Sequence, residues 1–161
     1  MYSERIKDIV ETLPKDQPLF LYFAMQTVHT PLEVPKVWIL FQRNNVIFLF
    51  LQKKPRNKCL LSSIKVYEDM YPDVHQSHRK SLLGLVTAMD DVIGNVTETL
   101  KTNGLYENSI IIFVSDNGGL NVAGGGASNE PLKAGKGTLY EGGVRTPAFI
   151  HAPRLMNGKE G

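Results

Sequence analysis

The spacing of apolar residues changes several times along this chain, and each change predicts a different element. In residues 2–13, apolar side chains recur every three or four positions with charged residues between them, which predicts a short amphipathic helix. Residues 19–25 are apolar and aromatic throughout, which predicts a strand. Helical spacing returns in residues 75–102, and Asn103-Gly104 predicts the end of that helix.

Two more strands are predicted in the last third of the chain. Residues 110–114 are apolar at every position and rich in β-branched side chains, which predicts a strand buried on both faces of a sheet. Residues 146–151 predict one further strand. Because strands and helices alternate, the expected class is α/β, with a mostly parallel sheet and helices on both faces. A chain of 161 residues can bury one core, so it forms one domain or a part of one.

Composition narrows the function classes only slightly. The net charge of +2 does not favour a nucleic-acid partner or a membrane surface. The apolar run of residues 46–51 is far shorter than the ~20 residues that span a bilayer. No cationic segment followed by an apolar run and a cleavage site begins the chain, so no signal peptide is predicted. The single cysteine, Cys59, rules out an internal disulfide.

The strand predicted at residues 110–114 ends in a polar, glycine-rich turn. Asp116 and Asn117 follow the strand, and two glycines come directly after them. In open α/β sheets, ligands bind beyond the carboxyl ends of the strands, so Asp116 and Asn117 are candidate site residues. The alternative interpretation is a plain turn, because Asp-Asn-Gly-Gly suits left-handed backbone conformations and local hydrogen bonds.

A long, polar, glycine-dense loop follows this turn and carries several cations. Loops of this length inside compact domains are usually functional or disordered. The cations are Lys133, Lys136 and, further along, Arg145. A carboxylate followed by such cations is expected where a metal ion and an anionic substrate share one site. Arg145 fits either that site or a structural ion pair, and the glycines at positions 118, 119, 142 and 143 are expected to serve backbone conformation.

Several separated blocks resemble the type I sulfatases, most closely the arylsulfatase B (N-acetylgalactosamine-4-sulfatase) branch. The blocks are SDNGG at residues 115–119 and PLKAGKGTLYEGGVRTPAFIHAP at residues 131–153. The resemblance implies the alkaline-phosphatase-like fold. It also implies that Asp116 and Asn117 bind one calcium ion and that Lys136 contacts the sulfate group.

A third block, PLFLYFAMQTVHTPLEVP at residues 18–35, contains His29 just past the first predicted strand. From its position alone, a partly exposed loop histidine is the simpler interpretation. The block resembles the sulfatase segment that carries an active-site histidine, which implies that His29 binds sulfate. Because the ordinary pKa of histidine is about 6.5, His29 is also suited to protonate the departing alcohol.

Part of the machinery that the resemblance implies is missing from these residues. The family's nucleophile is a formylglycine made in a C-x-P-S-R type motif, and no such motif occurs here, since Cys59 lies in KCLLS. The family's amino-terminal aspartate pair and its lysine-histidine pair are missing as well. The first hypothesis is therefore an internal fragment of a calcium-dependent sulfuric ester hydrolase. The full-length enzyme would act on sulfated saccharides or aryl sulfates, and this chain alone is expected to be inactive.

Two alternatives remain beside that hypothesis. One is a truncated, non-catalytic product that folds poorly or at most binds calcium or anions weakly. The other is a phosphatase or phosphodiesterase of the same superfamily, which the Gly135-Lys136 block disfavours because it resembles the sulfate-binding block.

The resemblance also predicts a lysosomal or secreted full-length parent. The sequon at Asn95 would be used there if its side chain is exposed. Asp90 and Asp91 are adjacent on the predicted helix and do not face one another, so they are expected on a solvated face rather than at a metal.

Residues 37–65 fit no sulfatase block and show neither helical nor strand period. Removing them joins Lys36 to Val66 and restores the family pattern, so residues 1–36 and 66–161 are expected to form a partial catalytic domain. The codons at both boundaries allow splice signals, and the hypothesis is a retained intron. A folded surface insertion is the alternative, and Trp38 and Cys59 inside the segment are given no function.

Overall fold

The computed structural model describes residues 2–14, 16–25, 46–51, 61–122 and 124–156. These residues form helices and four strands. In chain order they are α1 (Tyr2–Thr12), β1 (Phe20–Met25), β2 (Val46–Leu51), α2 (Leu61–Glu68), α3 (Ser77–Thr102), a 3₁₀ turn (Tyr106–Asn108), β3 (Ile110–Val114), α4 (Glu141–Val144), β4 (Ala148–His151) and α5 (Pro153–Met156). The helices and strands predicted from periodicity are therefore confirmed, apart from differences of a few residues at their ends.

The four strands form one sheet in the order β1-β2-β3-β4. β1 pairs with β2 and β2 with β3 in parallel, whereas β4 runs antiparallel to β3. The mostly parallel sheet is thus confirmed. Because parallel strands point the same way, β1, β2 and β3 all end at one edge of the sheet. The polar turn after β3 therefore lies at the same edge as the end of β1.

The core lies on one face of this sheet. Alternate residues of β1 point to it, because side chains along a strand alternate between the two faces. Leu21, in register with Ile47 and Ile111 on the neighbouring strands, belongs to the same face as Phe23. The side chains of Leu21, Phe23 and Ile111 pack with apolar residues of α1 and α3 in one cluster, whose buried members are Ile6, Ile9, Val10, Leu19, Leu21, Phe23, Met25, Val96, Leu100 and Ile111.

The long helix α3 joins this core to α2. Tyr67 donates a hydrogen bond to Asp91 at 2.9 Å, and Tyr71 and Thr87 share one at 2.5 Å. A Cβ added at Gly84 would lie 3.1 Å from the backbone nitrogen of Glu68, so the glycine allows close packing of the two helices. Beyond the helix, Gly104 has a φ of +71°, a left-handed conformation that suits the predicted helix end.

β3 is less buried than its sequence predicts. Only Ile111 is buried, with 8% of its surface exposed, and the other four residues are half-buried. On the adjoining β4, Phe149 and Ile150 are 49% and 61% exposed. The prediction of burial on both faces is wrong, since four of the five residues are only half-buried; within the described residues, the core cluster with α1 and α3 packs on the face that carries Ile111.

Residues 46–51 form a strand although the surrounding segment has no regular period. β2 pairs on both sides, and its six apolar residues suit a strand that lies between two others. Residues 37–45 and 52–60, with Trp38 and Cys59, lie outside the described residues. The assignment of residues 37–65 as a non-family insertion stays a prediction.

Candidate functional site

The turn after β3 is held by the loop that precedes β4. The backbone nitrogen of Ser115 donates to the carbonyl oxygen of Pro147 at 3.2 Å, and that of Gly118 donates to Gly143 at 2.9 Å. The hydroxyl of Ser115 donates to the carbonyl oxygen of Asn117 at 2.9 Å. Both ends of the turn are therefore fixed by a second segment of the chain.

Asp116 and Asn117 present neighbouring polar side chains at this turn. Asp116 is exposed and Asn117 is half-buried. The amide nitrogen Nδ2 of Asn117 donates to Oδ1 of Asp116 at 2.6 Å, so the two side chains meet at one point. Carboxylate and amide oxygens suit calcium, which takes 6 to 8 oxygen ligands. The pair fits such an ion as part of its ligand set.

The remaining ligands of such an ion are not found in the described part of the chain. Among those residues, no group of three or more His, Cys, Asp or Glu side chains could hold a metal ion. Asp116 and Asn117 therefore supply the chemistry of a calcium site but too few ligands to complete one.

The segment that carries Lys136 lies against the same turn. The backbone nitrogen of Lys136 donates to the carbonyl oxygen of Gly119 at 3.1 Å. Gly119 is two residues beyond Asn117, and the Lys136 side chain is half-buried. The structure thus brings together the two segments on which the predicted calcium and sulfate ligands lie.

Close backbone packing explains the glycines of these segments. A Cβ on Gly118 would overlap the carbonyl group of Gly142, whose carbon would lie 2.8 Å away. A Cβ on Gly142 would overlap the carbonyl oxygen of Ala134 and lie 2.6 Å from that of Lys133. Neither Gly118 nor Gly142 has a positive φ. The expectation that they serve backbone conformation is wrong, because what they provide is space between adjoining chain segments.

One residue of this region was missed in the sequence. Asn129 accepts a hydrogen bond from the backbone nitrogen of Gly119 at 2.8 Å. Its Nδ2 donates to the carbonyl oxygens of Gly119 at 2.8 Å and Ala134 at 3.1 Å. In the sequence it is one more polar residue of a long loop, and nothing in the local pattern marks it.

Comparison with known proteins identifies the family. The Sulfatase family model matches residues 2–157. The chain belongs to the sulfatase family. Arylsulfatase J of Mus musculus is 37% identical over 157 residues, which cover 98% of this chain and 21% of that protein. N-acetylgalactosamine-6-sulfatase of Homo sapiens is 26% identical over 155 residues, which cover 95% of this chain and 23% of that protein.

Solved sulfatase structures confirm the alkaline-phosphatase-like fold. The structure of Ps i-CgsB in complex with k-i-k-neocarrahexaose has a TM-score of 0.62 at 30% identity, and the match covers 95% of this chain and 27% of that one. The chain thus spans about a fifth to a quarter of the length of these relatives. The matches establish the sulfatase family, and the arylsulfatase B branch is a narrower assignment than they support.

Arg145 lies in the segment that binds the turn, between Gly143 and Pro147. It is exposed, and its Nη1 lies 3.4 Å from Oε2 of Glu141, an ion pair that leaves both predicted roles of Arg145 open. Asn95 is exposed on α3, as its sequon requires, and Asp90 and Asp91 are exposed as predicted. The hydrogen bond that Tyr67 donates to Asp91 raises the pKa of the tyrosine, and partial burial adds to the rise.

His29 lies outside the described residues. In the sequence it follows the last residue of β1 by four positions, and Asp116 follows the last residue of β3 by two. β2 separates the two strands, so β1 and β3 are about 10 Å apart, twice the usual strand spacing. The role of His29 therefore stays a prediction.

Among the described helices, none has both the length and the apolar composition that crossing a bilayer requires.

Proposed function

We propose that this chain carries the calcium-binding turn and the sulfate-binding lysine of a sulfuric ester hydrolase. In this proposal Asp116 and Asn117 are calcium ligands, and Lys136 and His29 contact the sulfate group. The substrate of the full-length enzyme is a sulfated saccharide or an aryl sulfate, and the enzyme belongs to the arylsulfatase B-like branch. The parent enzyme is lysosomal or secreted and is glycosylated at Asn95.

The chemistry of a sulfate ester explains this choice of residues. Cleavage of the S–O bond requires a nucleophile, stabilisation of charge on the non-bridging oxygens, and a proton for the departing oxygen. The ammonium group of Lys136 supplies positive charge beside the anion. His29 supplies the proton. A calcium ion, when bound by Asp116 and Asn117, adds further positive charge at the same oxygens.

The observation that carries the proposal is the hydrogen bond between the Lys136 backbone nitrogen and Gly119, at 3.1 Å. This bond places the segment that carries Lys136 directly beside the turn that carries Asp116 and Asn117, in a chain of the sulfatase family. Two relatives support a saccharide substrate, since one is named N-acetylgalactosamine-6-sulfatase and another was solved with k-i-k-neocarrahexaose.

Calorimetric titration with sodium sulfate, with and without calcium, tests the proposal. A hydrogen bond to a charged group contributes about 1.5–3 kcal/mol, so Lys136→Ala should weaken sulfate binding by about tenfold to a hundredfold. Lys133→Ala is the matched control, because it removes the same charge from the same loop. The Nζ of Lys133 lies 4.1 Å from the centre of the Tyr140 ring. Equal effects of the two substitutions would contradict a specific role for Lys136.

A second assay measures turnover of an aryl sulfate by the 161-residue chain. No turnover above that of a His29→Ala control is expected, because the C-x-P-S-R type motif is not in this sequence. Turnover that depends on His29 would contradict the expected inactivity. If the wild-type chain binds neither sulfate nor calcium, the non-catalytic alternative without a ligand site replaces the proposal.

A further inference from the structure

Asn129 contacts both segments of the candidate site. We propose that Asn129 is a positioning residue, which sets the calcium-binding turn and the sulfate-binding lysine at a fixed relative position. It touches neither ligand in this proposal, and it acts through the backbone groups that it binds. The inference rests on the proposed function, because it concerns the same site.

The hydrogen bonds of Asn129 use both donors and the acceptor oxygen of one short amide. Its oxygen accepts from the Gly119 nitrogen at 2.8 Å, and its two N–H groups donate to Gly119 at 2.8 Å and Ala134 at 3.1 Å. Aspartate has no donor at neutral pH, and glutamine is one methylene longer. Asparagine is therefore the side chain that matches these three partners at this distance.

Each partner of Asn129 lies two residues from a predicted ligand residue, one in the turn after β3 and the other in the segment that carries Lys136. Gly119 comes two residues after Asn117, and Ala134 comes two residues before Lys136. The Gly119 carbonyl also accepts from the Lys136 nitrogen at 3.1 Å, so Gly119 is bound by both Asn129 and the Lys136 backbone. A shift of Asn129 would therefore change the distance between the two predicted ligand groups.

The conformation of Ala134 indicates that this segment needs such support. Ala134 has a φ of +62°, in the left-handed region that residues with a Cβ adopt only when their surroundings hold them there. The carbonyl of this same residue accepts the third hydrogen bond of Asn129. Without that bond, we expect the backbone before Lys136 to relax toward an unstrained conformation.

Amide hydrogen exchange tests the positioning role without any ligand. Asn129→Ala removes all three hydrogen bonds, and each contributes about 1 kcal/mol, so exchange at Gly119 and Lys136 should accelerate at least tenfold. Asn103→Ala is the matched control, because its Nδ2 also donates to a backbone carbonyl, that of Thr99 at 2.9 Å. Asn103 lies at the exposed end of α3, and its substitution should leave both amides unchanged.

Sulfate binding at two pH values tests the effect on the site. At pH 7, Asn129→Asp should weaken sulfate binding about tenfold, because the carboxylate faces two carbonyl oxygens and has no hydrogen to donate. Below about pH 4 the carboxyl becomes protonated and donates again, so the affinity relative to wild type should recover. A role confined to overall stability would change the melting temperature without this pH-dependent recovery.

The outcomes separate this inference from the proposed function. Accelerated exchange at both amides in a chain that binds no sulfate supports the positioning role and refutes the proposed function. Sulfate binding by wild type, with unchanged exchange and unchanged affinity in both Asn129 variants, refutes the positioning role. If Asn129→Ala does not fold, amide exchange and sulfate binding are both measured on the isosteric Asn129→Asp variant.

Discussion

Gly118 offers a direct test of the packing between the two site segments. A methyl group at this position would overlap the carbonyl group of Gly142, with the carbonyl carbon at 2.8 Å and Cα of Gly143 at 3.3 Å. All of these atoms are backbone, so no side chain can rotate away to make room. Gly118→Ala must therefore separate the turn from the loop before β4.

The expected cost follows from two contributions. Overpacking a well-packed region costs about 1–3 kcal/mol. The displaced turn also loses the hydrogen bond from the Gly118 nitrogen to Gly143, 2.9 Å long, whose net contribution is about 1 kcal/mol. The total is about 3 kcal/mol, which corresponds to a melting temperature about 6–12 °C lower in a domain of this size.

Gly94 provides the matched control on the same chain. A Cβ added there meets nothing within 4 Å, and the residue lies in the interior of α3. Gly94→Ala should raise stability by about 0.5–1 kcal/mol, because alanine loses less backbone entropy in a helix. Circular dichroism melts of the two variants make the comparison. If Gly118→Ala is as stable as Gly94→Ala, the two segments are not in contact and the described site is wrong.

Further predictions address the core, the titration of Tyr67, the calcium ligands and the segment 37–65. Phe23 is fully buried, so Phe23→Ala should lower the free energy of unfolding in urea by about 3–5 kcal/mol. The raised pKa of Tyr67 contributes stability that is fully present below pH 10.0 and is lost as the pH rises through the raised pKa. Asp91→Asn should return the pKa of Tyr67 toward 10.0. Phenolate absorbance measures this shift, with Tyr67→Phe as the reference. Calcium at about 100 times its Kd should stabilise the wild type by about 2.7 kcal/mol, an effect that Asp116→Ala should abolish and Asp90→Ala should not. A chain without residues 37–65 should keep a cooperative melt, and loss of folding in that chain would contradict the insertion hypothesis.

Local sequence patterns predicted the elements better than they predicted the packing between them. The period of apolar residues specified α1 and α3, because it reports which side of an element is buried, and continuous apolar runs specified β1 and β3. The five apolar residues of β3 carry no such period, so the sequence did not reveal that one face is only half-covered. Strand β2 was not predicted, because the segment around it has no regular period. Its pairing with β1 and β3 stabilises the strand.

Candidate site residues could be named in the sequence where the chemistry is local, and Asn129 was missed because its contacts depend on distant partners. Asp116 and Asn117 stand out because they directly follow a strand. Asn129 does not, since its partner Gly119 is ten residues away and its role appears only when the loop is folded. The glycines were noticed in the sequence, but the physical reason for them was not. Glycine is required both at a positive φ and at a close backbone contact, and the sequence does not distinguish the two.

The register of the sheet shows what residues 37–65 change and what they do not. Leu21, Ile47 and Ile111 lie side by side in the parallel ladder, so β1 and β3 would present the same faces if they paired directly. Removing β2 would therefore keep the core-facing pattern and shorten the distance between β1 and β3 by about 5 Å. His29 follows β1 and Asp116 follows β3 in the sequence, and a misplacement of reacting groups by about 1 Å can cost a hundredfold in catalysis. Turnover by the full-length enzyme is therefore the property by which forms with and without this segment should differ.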